Sequence, residues 1–165
     1  MFIIDAHAHI VENIQGRIGN SHTKSKQFGR VQCSNGKIIR CMPPLSLETT
    51  FPTEALIEYM NLSGVRKAVL LQNLFYGEMN QYIYNAVKKW PQRFYGAAYL
   101  DLWLEDAYKK FSYLIGDLGF KIIKIEFSVE TGFSGLYPGV RIDDKCLEWF
   151  WEESEKQNII IILDL

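Results

Sequence analysis

"IIDAHAHI", residues 3–10, is the stretch whose reading decides the fold. Its apolar opening predicts a β-strand, and the strand ends in two histidines one residue apart. A strand sets every second side chain on the same face. Asp5, His7 and His9 are therefore expected to project together from the strand's C-terminal end. Two imidazoles so placed can both reach one metal ion, and neutral imidazole nitrogen suits zinc, iron, nickel or manganese to differing degrees. The plainer reading is a pair of hydrogen-bonded polar residues at a strand end. Position favours the metal: the pair closes an apolar strand at the head of a long strand–helix alternation.

That alternation begins after an irregular stretch of roughly 11–52, which holds Gly16, Gly19, Gly29 and the Pro43-Pro44 pair. So long an insertion in a compact domain is usually functional. Within it Asn35-Gly36 predicts a two-residue hairpin turn, which sets Cys33 across from Ile38 and Cys41 across from Arg30. Thr53 to Ser63 then reads as a helix stopped by Gly64. Residues 65–72 read as a strand, and the stripe from Met79 to Trp90 as a helix ended by Pro91. Residues 93–101 give a third strand, Leu104 to Leu118 a helical stripe, and 120–127 a fourth strand. A helix of about 144–157, capped by Asp143 or Asp144, precedes the closing "IIIILDL" of 159–165. Its Trp149, Phe150 and Trp151 are expected to pack in the core.

Strands alternating with helices imply a parallel sheet with helices on its faces. The last strand is the most hydrophobic segment, and nothing follows it. Either it lies in the middle of an open sheet, or residues 1–165 form a single incomplete domain, the first five strands of a (β/α)8 barrel. An exposed edge of this character invites pairing with a second copy.

The 165 residues suffice for one core, and the net charge of −1 supplies no basic footprint for nucleic acid or a membrane surface. Residues 1–10 are too short to span a bilayer and lack a basic leader. Three cysteines without a CxxC suggest reduced thiols and a cytoplasmic location.

Functional residues of parallel α/β folds gather at the strands' C-terminal ends. Besides Asp5, His7 and His9, those ends offer Gln72 and Asn73, then Asp101, then Lys124 and Glu126 with period two, then Asp164. Asp164 and Glu126 are the candidates for a further ligand or a catalytic acid–base group. Lys124 is expected to pair with Glu126 or another acid. His22 is expected to be a solvated loop residue, its alternative being a substrate contact. Phe75-Tyr76-Gly77 is a candidate pocket wall.

These residues resemble a known family. "IIDAHAHI" looks like the first-strand signature of the amidohydrolase superfamily, more specifically of the amidohydrolase-related group. That group includes metal-dependent hydrolases and carboxy-lyases of the aminocarboxymuconate-semialdehyde decarboxylase kind. The resemblance continues in order through "MPPLSLETTFPTEALIEYMNLSGVRKAVLLQ", "YGEMNQYIYNAVKKWPQRFYGAAYLD", "GFKIIKIEFS" and "IIIILDL". It implies a (β/α)8 barrel with a divalent metal, often zinc, at the C-terminal mouth, where His7 and His9 match the two first-strand ligands. The family commonly adds a histidine at strand five, where this chain has Asp164, and further residues from strands six to eight, which have no counterpart here. The activity implied is metal-assisted hydrolysis of a C–N or C–O bond in a small molecule, impaired in a chain of this length. Non-oxidative decarboxylation is the alternative within the family. Outside it stands a non-catalytic open-sheet domain that binds a ligand or partner. Pairing of the last strand discriminates: two neighbours favour the open sheet, one bare edge the partial barrel.

Overall fold

The computed structural model describes residues 1–45 and 47–165. The chain opens with β1 (Ile3–Ala8), and the insertion contributes β2 (Arg17–Ile18), β3 (Ser21–Ser25), β4 (Arg30–Cys33) and β5 (Ile38–Arg40). The alternating part follows as α1 (Thr53–Ser63), β6 (Val65–Leu70), α2 (Asn80–Lys89), β7 (Phe94–Tyr99) and α3 (Ala107–Ser112). It ends with β8 (Ile122–Glu126), the short α4 (Phe133–Leu136), α5 (Glu148–Lys156) and β9 (Ile160–Asp164). The main sheet has the order β1-β6-β7-β8-β9, and every neighbouring pair is parallel.

Local chemistry sets these bounds. Pro52 stands at the N-cap of α1, and Gly64 ends it in the left-handed region at φ 69°. Leu56 and Met60 turn inward from α1 and meet Ile83 of α2, Phe111 of α3 and Phe150 of α5 in one core. Trp149 and Trp151 pack against that core, as expected of a helix face. β8 is buried at four of its five positions, as a parallel strand covered on both faces should be. α3 starts at Ala107, later than its apolar stripe, and runs on through a π-helical turn, Tyr113–Asp117.

The insertion carries more order than a lone hairpin. β2 to β5 form an antiparallel four-stranded sheet over a small core of Val11, Ile14, Val31 and Phe75. The expected hairpin register is corrected by one residue. Arg30 faces Arg40 and Gln32 faces Ile38, while the Cys33 N–H donates to the Lys37 carbonyl at 2.8 Å. Gly36 takes the left-handed region at φ 87°, and the loop therefore closes over three residues instead of two. Cys33 and Cys41 are not partners, and all three thiols are free.

The last strand settles the choice between the two layouts. β9 pairs with β8 on one side only, and β1 is the opposite edge. The sheet is a five-stranded half-barrel, and the layout with β9 in mid-sheet does not occur. Among the described residues no helix is long and apolar enough to cross a membrane.

Candidate active site

The C-terminal ends of the five strands share one rim, and His7 and His9 stand on it at the end of β1. β1 closes at Ala8, and His9 lies one residue past it. The two Nε2 atoms approach to 3.1 Å. His9 is held from behind: its Nδ1 lies 2.9 Å from the Leu71 carbonyl, which can only accept. Nδ1 therefore carries the proton, and the Nε2 of the neutral ring presents a lone pair. His7 Nε2 must then be the donor between the rings. Burial, first of all, lowers the His9 pKa below 6.5; the Leu71 contact opposes this, and His7 and Lys124 add to it.

Two imidazole nitrogens on one tetrahedral zinc, each about 2.0–2.1 Å from it, lie about 3.3 Å apart. The observed 3.1 Å fits such a pair. The backbone hold on His9 is also the outer support that fixes a ligating imidazole. Asp5 Oδ1 accepts the His7 backbone N–H at 2.9 Å, and Asp5 forms no three-residue ligand group with the pair among the described residues.

The carboxylates are arranged around Lys124. Its ammonium is almost wholly buried, 3.3 Å from Glu126 Oε2 and 3.1 Å from Asp164 Oδ2. The parallel register places Glu126 level with Asp164, so one lysine can bridge both strands. The second Glu126 oxygen accepts from the Thr131 hydroxyl and from Ser128 at 3.3 Å. Both oxygens of Glu126 are thus in use, while the Asp164 side chain stays nearly half exposed. Lys124 and Glu126 lie close enough for His9 to feel their charges. Among the described residues, however, no group of three or more His, Cys, Asp or Glu side chains converges to hold a metal. Asp164 and Glu126 are brought to the rim, but to the lysine, not to the imidazole pair.

The remaining strand ends have other partners. Gln72 is fully buried and bonds Asn80, the Ala97 carbonyl and the Met79 N–H, which joins β6, β7 and α2. Asp101 accepts the Tyr137 hydroxyl at 2.7 Å and the Trp103 N–H at 3.1 Å. Burial raises the Asp101 pKa despite these bonds, and burial with the Asp101 contact pushes Tyr137 up to about 12. His22 is exposed on β3, opposite Arg17.

Tyr76 packs edge-on against His9, with ring centroids 5.2 Å apart. The insertion fixes it there: Gln15 N–H donates to the Tyr76 carbonyl, Arg17 N–H to Leu74, and the Thr23 hydroxyl to Phe75. Of Phe75-Tyr76-Gly77, the expected wall, Tyr76 lines the cavity beside His9. No sequence signal points to the Leu71 carbonyl, which lies 62 positions from His9.

A parallel half-barrel with paired imidazoles on its C-terminal rim defines the class: an α/β barrel domain of the (β/α)8 type. The amidohydrolase family model matches residues 4–159, and the chain belongs to that family. No curated protein matches it. Among solved structures it is similar to a probable 2-pyrone-4,6-dicarboxylic acid hydrolase from Acinetobacter baumannii with citric acid bound, at 20% identity and TM-score 0.60. That match covers 99% of this chain and 49% of the other. An amidohydrolase II structure matches at 15% identity and TM-score 0.62, covering 98% and 50% respectively. A 2,6-dihydroxybenzoate decarboxylase from Rhizobium matches at 21% identity and TM-score 0.52, covering 67% and 38%. The chain thus spans half or less of the length of these three structures, whose likeness is one of fold.

Proposed function

We propose that this chain carries the first part of a metal-dependent hydrolase that cleaves a C–N or C–O bond of a small molecule, with zinc as the ion. The observation that carries the reading is the convergence of the His7 and His9 Nε2 atoms at 3.1 Å on the rim of a half-barrel. A divalent ion held there supplies Lewis acidity and makes water acidic enough to attack near neutral pH. His9 supplies a pre-oriented lone pair. His7 must first release its Nε2 proton. Asp164 is the better proton carrier of the two acids because its carboxylate is partly exposed, whereas Glu126 is saturated by Lys124, Ser128 and Thr131. Two imidazoles hold a cation weakly, so turnover by these 165 residues alone is expected to be low.

The family and the fold shared with a decarboxylase keep non-oxidative decarboxylation as the second reading. The cytoplasm, where thiols stay reduced, suits the three free cysteines.

The test is 4-nitrophenyl acetate hydrolysis by the zinc-loaded chain. The expected rate exceeds that of the same free zinc in buffer and falls to it in a His7→Ala, His9→Ala double variant. A rate equal to free zinc in the unchanged chain overturns the hydrolase reading. Carbon dioxide release from 2,6-dihydroxybenzoate, also lost in the double variant, would move the assignment to the decarboxylase.

A further inference from the structure

Beside His9 the insertion and the start of α1 line an open-mouthed cavity of about 630 Å³. Drug-sized ligands occupy pockets of about 300–1,000 Å³, so this one admits a ring-bearing molecule. Its walls are Val11, Met42, Pro43, Phe51, Tyr59 and Tyr76, with the His9 imidazole among them. Two aromatic pairs contribute: His9 with Tyr76 at 5.2 Å, and Phe51 with Tyr59 at 5.7 Å. The backbone bridge between Val11 and Phe51, with N···O distances of 2.8 Å in both directions, ties the insertion's two ends together at this wall. Among the described lining residues there is no lysine or arginine.

We propose that this cavity seats the neutral, aromatic part of the substrate, and that it selects against a carboxylate on that part. The proposal rests on the reading that chemistry occurs at His7 and His9, and it names the substrate class for that site. The physical basis is asymmetry of lining. Aromatic faces and apolar side chains reward burial of a flat ring. A carboxylate placed among them loses hydration without gaining a lysine or arginine partner from the described lining. The reacting bond of such a substrate lies toward His9, while the ring points away from the rim under the insertion.

The experiment measures binding of 2-naphthol and 2-naphthoate to the zinc-free 165-residue chain by probe fluorescence. Naphthol is expected to bind saturably, with naphthoate at least about tenfold weaker. Thr50, in the cavity wall, offers a charge test: Thr50→Lys is expected to shift the preference toward naphthoate by about tenfold. Ala55, on the α1 side of the wall, offers a filling test: Ala55→Trp is expected to weaken naphthol binding by about tenfold with unchanged thermal unfolding. Should Ala55→Trp fold poorly, the Thr50→Lys inversion decides alone. Naphthoate binding as tight as naphthol, no saturable naphthol binding, or an unchanged ratio in Thr50→Lys would each overturn the proposal. Zinc takes no part in this measurement, so failure of the hydrolase reading would show separately, in the ester assay.

Discussion

Lys124 is a single ammonium, side chain 2% exposed, that pairs with two carboxylates from two strands. Removing one partner of a buried ion pair leaves an uncompensated charge and costs about 3–5 kcal/mol. Lys124→Met is therefore expected to lower unfolding stability by about that much in urea titration, and Lys124→Met with Glu126→Leu to recover most of it. A cost below about 1 kcal/mol for the single variant would show that Glu126 finds water instead. Asp101 gives a pH signature. Its folded pKa lies above 3.8 because burial disfavours the carboxylate. Its stabilising share is therefore complete below 3.8 and is lost as pH rises through the folded value. Asp101→Asn is expected to flatten that loss, and thermal unfolding across the acid range reads it as a stability difference that grows in the variant's favour with rising pH. The imidazole pair was legible at this scale because a period of two puts His7 and His9 on one side. The Leu71 carbonyl behind His9 was not, because only β1–β6 pairing brings it there.

The insertion acts as an element by docking on the loop after β6. Gly77 makes this contact possible: it sits at φ 89°, and a Cβ there would come within 2.9 Å of the Gln15 carbonyl oxygen. Gly77→Ala is expected to cost more than about 1 kcal/mol in chemical denaturation and to weaken naphthol binding, since Tyr76 is the adjacent residue. Unchanged stability would show that the insertion docks by other contacts. The end of α1 was readable because Gly64 stops it. The hairpin register was not, because Asn35-Gly36 serves both a two-residue and a three-residue turn, and the structure uses Gly36 alone in the left-handed region. β2 went unseen because a two-residue strand has no period to read, and β3 because its five residues, SHTKS, carry no apolar alternation.

Across the whole molecule, β1 and β9 are the two edges of the main sheet. β9 exposes Ile160 at 59% and Leu163 at 45%, and β1 exposes Ile4 at 49%. Ile160 N–H bonds Lys121 and the Asp164 carbonyl accepts from Phe127, so the even positions of β9 face β8. The odd positions then turn their backbone groups outward, as parallel ladders alternate. Taken on their own, these 165 residues are expected to self-associate through β9. Sedimentation should give a mass above 19.2 kDa, and Leu163→Pro should reduce it to the monomer, because that residue lends no N–H to β8. A monomeric unchanged chain at high concentration would contradict this. The five-strand succession was visible from strand–helix alternation alone, whereas the bare edges needed the sheet order. Both matter less than the imidazole pair on which the proposed function depends. Nitrogen-15 spectra of the histidine rings during zinc titration test that pair directly. The expected result is that His7 and His9 Nε2 shift together while the His9 Nδ1 proton persists on the Leu71 carbonyl. Rings that stay unshifted, or zinc taken up at His22 instead, would contradict it.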